Sequence, residues 1–176
     1  SAIVVLEDRE RALARGAQIY GELLGYGLTT DTSHITRPSV PGQAAAMRAA
    51  LASAQLQPAD IDSISAHGTG TQANDVTETA AIKEVFGARA KRIPISATKS
   101  VQGHLIGAAG ALEFVLSIEA LRCGIALPTM HLQTSDPACD LDYVPNSARP
   151  NAAGRTMLSN SFAFGGTNAV LAFRSP

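Results

Sequence analysis

Residues 93–122, "IPISATKSVQGHLIGAAGALEFVLSIEALR", run from a short apolar stretch through a polar one into a long segment almost free of charge. "IPISA" (93–97) reads as a buried strand and "TKSVQGH" (98–104) as a loop. "IGAAGALEFVLSIEALR" (106–122) is apolar nearly all round, the pattern of a helix packed on several sides. Strand, loop and buried helix in that order are the repeating unit of an α/β protein.

The flanks extend the pattern. "IDSISA" (61–66) is a short alternating strand that runs into the glycine- and threonine-rich loop "HGTGTQAN" (67–74). Asp75 followed by Glu78 has the spacing of a capping pair and predicts a helix from there to about Phe86. Met47, Leu51 and Ala54 fall at helical spacing in "GQAAAMRAALASAQL" (42–56), which stops before Pro58. "AQIYGELLGYGL" (17–28) predicts a strand in which Gly21, Gly25 and Gly27 mark bends or close backbone approach, and 29–40 reads as a polar loop. "AIVVLE" (2–7) predicts a buried strand and "DRERALARG" (8–16) a short charged helix closed by Gly16. Segment 128–155 has little regular pattern and is long for a compact domain, which marks a functional or covering role. "TMLSNSF" (156–162) and "NAVLAFR" (168–174) close the chain as two strands joined by "AFGGT". The expected fold class is α/β, a mixed sheet covered by helices.

Composition bounds the function. The 176 residues amount to one domain or half of a larger unit, and with 45% hydrophobic and 16% charged residues they build a real core. A net charge of -1 without a long basic run points away from nucleic acid. Cys123 and Cys139 have neither metal-ligand spacing nor a disulfide framework, so a reducing, cytoplasmic setting is expected. The apolar run before Glu7 is too short for a signal peptide or for a membrane span, which needs about 18 residues. The chain enters a strand at its second residue, as a piece of something longer does.

Three loops follow predicted strands: "AHGTGT" (66–71), "SATKSVQGH" (96–104) and "NSFAFGGTN" (160–168). Ligands bind at the carboxyl ends of strands in open α/β sheets. His67 is either a ligand-facing histidine or a turn residue capped by Thr69 or Thr71. "GTGT" lacks the frame of a phosphate-binding loop. Lys99 is a partner for Glu113, which a buried helix must neutralise; the pair is either structural or part of the chemistry. His104 precedes the helix, whose positive end disfavours a protonated ring, so a neutral imidazole there has an N–H for a developing oxyanion. The alternative is a satisfied core histidine. His34 and His131 read as surface residues, and both cysteines as inert thiols.

Taken together, "SAHGTGTQANDVTETAAIKEVFG", "ISATKSVQGHLIGAAGALE", "DPACDLDYVPN" and "LSNSFAFGGTNAVL" resemble the C-terminal half of a β-ketoacyl-acyl-carrier-protein synthase. The type is the elongating ketosynthase of dissociated fatty acid or polyketide systems. The resemblance implies a thiolase-like fold of two α/β halves, each with a five-stranded sheet. Residues 1–16 would be a strand and helix of the missing N-terminal half, and 17–176 the C-terminal domain. It also implies a homodimer that joins an acyl thioester to malonyl units on acyl carrier protein by decarboxylative Claisen condensation. No cofactor is implied beyond the carrier's own phosphopantetheine.

Carried over by motif, His67 and His104 are the family's active-site histidines, Lys99 its lysine and Glu113 the lysine's ion-pair partner. Glu78 matches an acidic residue near the site, a position that helix capping explains equally well. Thr69 and Thr71 match threonines on the pantetheine arm, and Phe164 matches a gating phenylalanine whose N–H helps form an oxyanion hole. The family's nucleophilic cysteine belongs to the other half, so this chain alone is expected to be inactive. Ala163 stands where most relatives have glycine, and its β-carbon is expected to stiffen the gate. Two rivals remain: a non-catalytic partner subunit that shapes the acyl pocket, and a thiolase-type enzyme using coenzyme A, which the motif set fits poorly.

Overall fold

Two kinds of strand pairing bring the chain's ends and middle into one sheet. The computed structural model describes all 176 residues. In chain order the elements are α1 (Arg9–Ala14), β1 (Glu22–Thr30), α2 (Val40–Ser53), β2 (Ser63–Ser65), α3 (Gln72–Phe86), β3 (Ile95–Ser96) and α4 (Lys99–Gln102). They continue with α5 (Ala109–Cys123), β4 (Ile125–Ala126), β5 (Arg149–Pro150), β6 (Thr156–Phe162) and β7 (Thr167–Arg174). The five-stranded sheet has the order β1-β7-β6-β2-β3. β2 runs parallel to both β3 and β6, while β7 runs antiparallel to β6 and to β1. β4 and β5 form a separate short ribbon.

Side-chain alternation sorts the core into two layers. Leu158 and Phe162 of β6, with Val170 and Ala172 of β7, join Met47 and Leu51 of α2 and Ile82 and Phe86 of α3. Met157 and Phe173, one position along, pack on the opposite face against Phe114, Ile118 and Leu121 of α5. The glycines predicted to mark close approach do so. A Cβ on Gly27 would lie 2.1 Å from the Ala46 carbonyl oxygen, and one on Gly25 would lie 2.5 Å from the Ala54 nitrogen. The small residues of β1 and α2 thus let helix and strand backbones meet.

Several expectations change. Residues 2–7 form no strand; Ile3 and Val5 are 90% and 89% exposed. A strand exists only through its neighbours' hydrogen bonds, and that segment pairs with no strand of this sheet. β1 starts at Glu22 rather than at 17 and runs on to Thr30, where Thr29 and Thr30 pair with Asn168 and Thr167. α3 begins at Gln72, because the Thr71 side chain accepts the Asn74 N–H and takes the cap expected of Asp75. Residues 99–102, expected as loop, make one helical turn. The helix expected from 106 opens as a 3₁₀ turn over Ile106–Ala108 and becomes α-helical at Ala109. It is buried toward the sheet, but Leu112, Val115 and Leu116 on its other side are only half-buried.

Because β2, β3 and β6 are mutually parallel, the loops that follow them leave the same end of the sheet. That single fact gathers His67, Lys99 and Phe164 from distant parts of the chain. No helix is long and apolar enough to cross a membrane.

Candidate active site

His67 lies two residues past the end of β2 and is buried. Both polar groups of its backbone are held by charged side chains from different helices. Its N–H donates to Glu78 Oε1 at 2.9 Å, and its carbonyl accepts from Lys99 Nζ at 2.6 Å. The next residue, Gly68, donates its N–H to Glu78 Oε2 at 2.9 Å. Glu78 therefore caps no helix: it is buried and binds the loop after β2, so the capping explanation falls. Asn74 Nδ2 and Asn160 Nδ2 complete its shell at 3.2 and 3.1 Å. Burial pushes the Glu78 carboxyl above its ordinary range, and these four N–H donors oppose that push.

Lys99 starts the one-turn helix α4 and turns its side chain inward. Its Nζ lies 2.5 Å from Glu113 Oε1, and the two side chains are 4% and 1% exposed. Burial raises the Glu113 carboxyl, and the hydrogen bond from Lys99 works against it. The same ammonium lies 3.4 Å from His67 Nδ1. An ammonium only donates, so Nδ1 is the accepting nitrogen and the His67 proton resides on Nε2.

His104 reaches the same tautomer by another route. The Ile106 N–H donates to its Nδ1 at 3.0 Å, which again leaves the proton on Nε2. Ile106 reaches that position with φ at 52°, a left-handed conformation costly for a β-branched residue. The two rings stand edge to face, centroids 5.4 Å apart and planes at 82°. Burial first, then the Lys99 ammonium and the neighbouring His104 ring, push the His67 imidazole down to about 3. His104 is exposed in this chain and is lowered too, first by desolvation and then by Lys99. α5 starts five residues beyond His104, so the helix-end explanation gives way to these two causes. His104 is not a core residue. Two neutral imidazoles thus present N–H donors beside a buried ammonium.

The other expected residues lie around this centre. Thr69 and Thr71 share a hydroxyl–hydroxyl hydrogen bond of 2.8 Å on the exposed loop; Thr71 also caps α3, and neither caps His67. Phe164 is 78% exposed at the start of a 3₁₀ turn. Ala163 has φ at -132°, an extended conformation open to any residue. The left-handed positions of that turn are Gly165 and Gly166, and a Cβ on Gly166 would lie 1.8 Å from the Asp31 carbonyl oxygen. The turn is tied to the 31–35 loop through the Gly165 N–H to Ile35 O, 2.7 Å, and the Asp31 N–H to Gly166 O, 2.9 Å. His34 and His131 are exposed, as expected. Cys123 and Cys139 are free, and burial raises the Cys139 thiol.

Sequence reading missed Asn74, Asn160 and Phe162, whose ring centroid lies 5.8 Å from that of His67. One signal was present: Asn160 stands between Leu158 and Phe162 on the apolar face of that strand.

Residues 20–133 match the family model described as "Beta-ketoacyl synthase, C-terminal domain". The chain belongs to the β-ketoacyl synthases. It is 51% identical over 174 residues to Nodulation protein E of Rhizobium meliloti, covering 99% of this chain and 43% of that protein. It is 49% identical over 176 residues to 3-oxoacyl-[acyl-carrier-protein] synthase 2 of a Synechocystis species, with 99% and 42% covered. This β-ketoacyl synthase chain therefore spans under half the length of those curated relatives. Among solved structures it superposes on a β-ketoacyl synthase from Burkholderia phymatum with a TM-score of 0.92 at 43% identity, covering 97% and 41%. It also superposes, with a TM-score of 0.92 at 40% identity and 97% and 42% covered, on a chain of a type II PKS acyl-carrier protein in complex with its ketosynthase bound to the hexaketide. The mixed five-stranded sheet with helices on both faces is the fold of a ketosynthase C-terminal half.

Proposed function

We propose that this chain is the catalytic C-terminal domain of a β-ketoacyl-acyl-carrier-protein synthase, joining an acyl thioester to malonyl-acyl-carrier-protein by decarboxylative Claisen condensation. One observation carries the reading: two neutral histidines, each with Nδ1 occupied and Nε2–H free, face one another beside a buried ammonium. The bond from the malonyl α-carbon to its carboxylate breaks and carbon dioxide leaves. The electron pair remains as an enolate, whose oxygen accepts the His67 and His104 N–H bonds. The α-carbon then attacks the acyl thioester on a cysteine of the N-terminal half and expels the thiolate.

In this reading Lys99 and Glu113 hold the histidines neutral and in place, and Glu78 fastens the His67 loop. Thr69 and Thr71 contact the pantetheine arm, and Phe164 gates the acyl site with its N–H. The partners are acyl carrier protein, the N-terminal half carrying the nucleophile, and a second copy of the full-length protein, in a reducing cytoplasm. The chain alone, without that cysteine, is inactive.

The test uses full-length protein with separate assays of acyl loading and malonyl decarboxylation. His67→Ala and His104→Ala each lower decarboxylation by about 10²–10³, the usual cost of one oxyanion donor, while loading persists. Wild-type decarboxylation in either variant removes that histidine's role.

A further inference from the structure

Asn160 is fully buried at the centre of β6, on the face turned toward α2 and α3. An apolar residue between Leu158 and Phe162 would pack there without burying an amide, so the amide has another use. Its Nδ2 donates to Glu78 Oε1 at 3.1 Å and lies 3.8 Å from Met47 Sδ. That same carboxylate oxygen accepts the His67 N–H. All four groups hydrogen-bonded to the Glu78 carboxyl are N–H donors, which suits an ionised carboxylate.

The contacts form a chain from the sheet to the reacting group. Asn160 belongs to β6, Glu78 to α3, and His67 to the loop after β2. Asn74 steadies Oε2 from within α3 itself. Asn160 is the one side chain that ties the Glu78 carboxylate to the sheet, and it holds the oxygen that in turn holds the His67 backbone.

We propose that Asn160 is a positioning residue for His67 and acts through Glu78. Without its N–H, Oε1 keeps a single donor and the carboxylate turns, carrying the His67 backbone away from the geometry set by Lys99 on the other side. The proposal rests on the ketosynthase reading, in which the His67 Nε2–H meets the enolate oxygen.

Full-length Asn160→Ala and Asn160→Asp proteins are compared with wild type for acyl loading and for malonyl decarboxylation. Asn160→Ala lowers the decarboxylation kcat by about 10- to 100-fold, as small misplacements of a reacting group do. Loading and the malonyl KM stay within about twofold, since neither depends on the enolate contact. Asn160→Asp sets a second carboxyl against Glu78, amid His67, Lys99, Glu113, Asp75 and Tyr143. Its activity is lowest at neutral pH and recovers as the pH falls, when the introduced carboxyl gains a proton and donates to Glu78; wild type and Asn160→Ala show no such recovery. Unchanged decarboxylation in Asn160→Ala, or loading and decarboxylation falling in equal proportion, overturns the proposal. If Asn160→Ala does not fold, the nearly isosteric Asn160→Asp decides alone, and absence of recovery at lower pH overturns it. A wild-type protein that decarboxylates no malonyl thioester overturns the ketosynthase reading instead.

Discussion

Lys99 and Glu113 form an ion pair that neither side chain shares with solvent, closed at 2.5 Å with 4% and 1% exposure. The second carboxylate oxygen of Glu113 is buried without a partner. Such a pair is a poor source of stability, because its desolvation offsets most of the attraction. Removing one partner is another matter, since it strands a buried charge. Glu113→Ala or Lys99→Ala should cost about 3–5 kcal/mol, and the double replacement Lys99→Met/Glu113→Leu should regain most of it. Urea unfolding of the full-length proteins measures this. Stability without activity in the double variant separates the pair's role in the site from its role in folding.

The depressed His67 imidazole makes a prediction about acid. Unfolded, the ring takes a proton near its ordinary 6.5; folded, it does so only at about 3. Between those values the unfolded chain binds the extra proton, so this group's contribution to stability is present above 6.5 and is lost as pH falls toward 3. ¹⁵N-histidine NMR should show His67 in the Nε2–H form with no titration between about pH 7 and pH 5. A titration near the ordinary histidine value would place the ring in a wetter, less charged setting than the structure gives it.

Helix α2 and strand β1 meet backbone to backbone at Gly27, where an added Cβ would lie 2.1 Å from the Ala46 oxygen and 2.5 Å from the Ala50 nitrogen. Neither atom belongs to a flexible side chain, so the helix itself must move. Gly27→Ala should cost about 1–3 kcal/mol or more. Chemical denaturation reads it, and an unchanged midpoint would mean that α2 slides on the sheet without penalty.

Much of the site was legible because its residues are polar in places where polarity is costly. A lysine before an apolar helix and a glutamate inside that helix required each other, and they pair. The terminal strands were legible as two short segments joined by "AFGGT", and β6 and β7 sit within a residue of the expected ranges. Elements that depend on distant neighbours were not legible. "AIVVLE" has every local mark of a strand yet stands in solvent, because hydrogen-bonding partners are a property of the assembly and not of the segment. Asp75 and Glu78 had capping spacing, but Thr71 lies one residue before the helix and reaches its free N–H groups first.

The sequence by itself determined the fold class, the three loops that follow the strands and the polar residues that they carry. Tertiary structure decided what those residues are. Parallel pairing of β2 with β3 and β6 put the loops at one end of the sheet. The Lys99 ammonium and the Ile106 N–H then set both histidine tautomers. His104 takes its tautomer from a neighbour two residues on, but the tautomer and burial of His67 depend on atoms from far along the chain, which the strand order brings together.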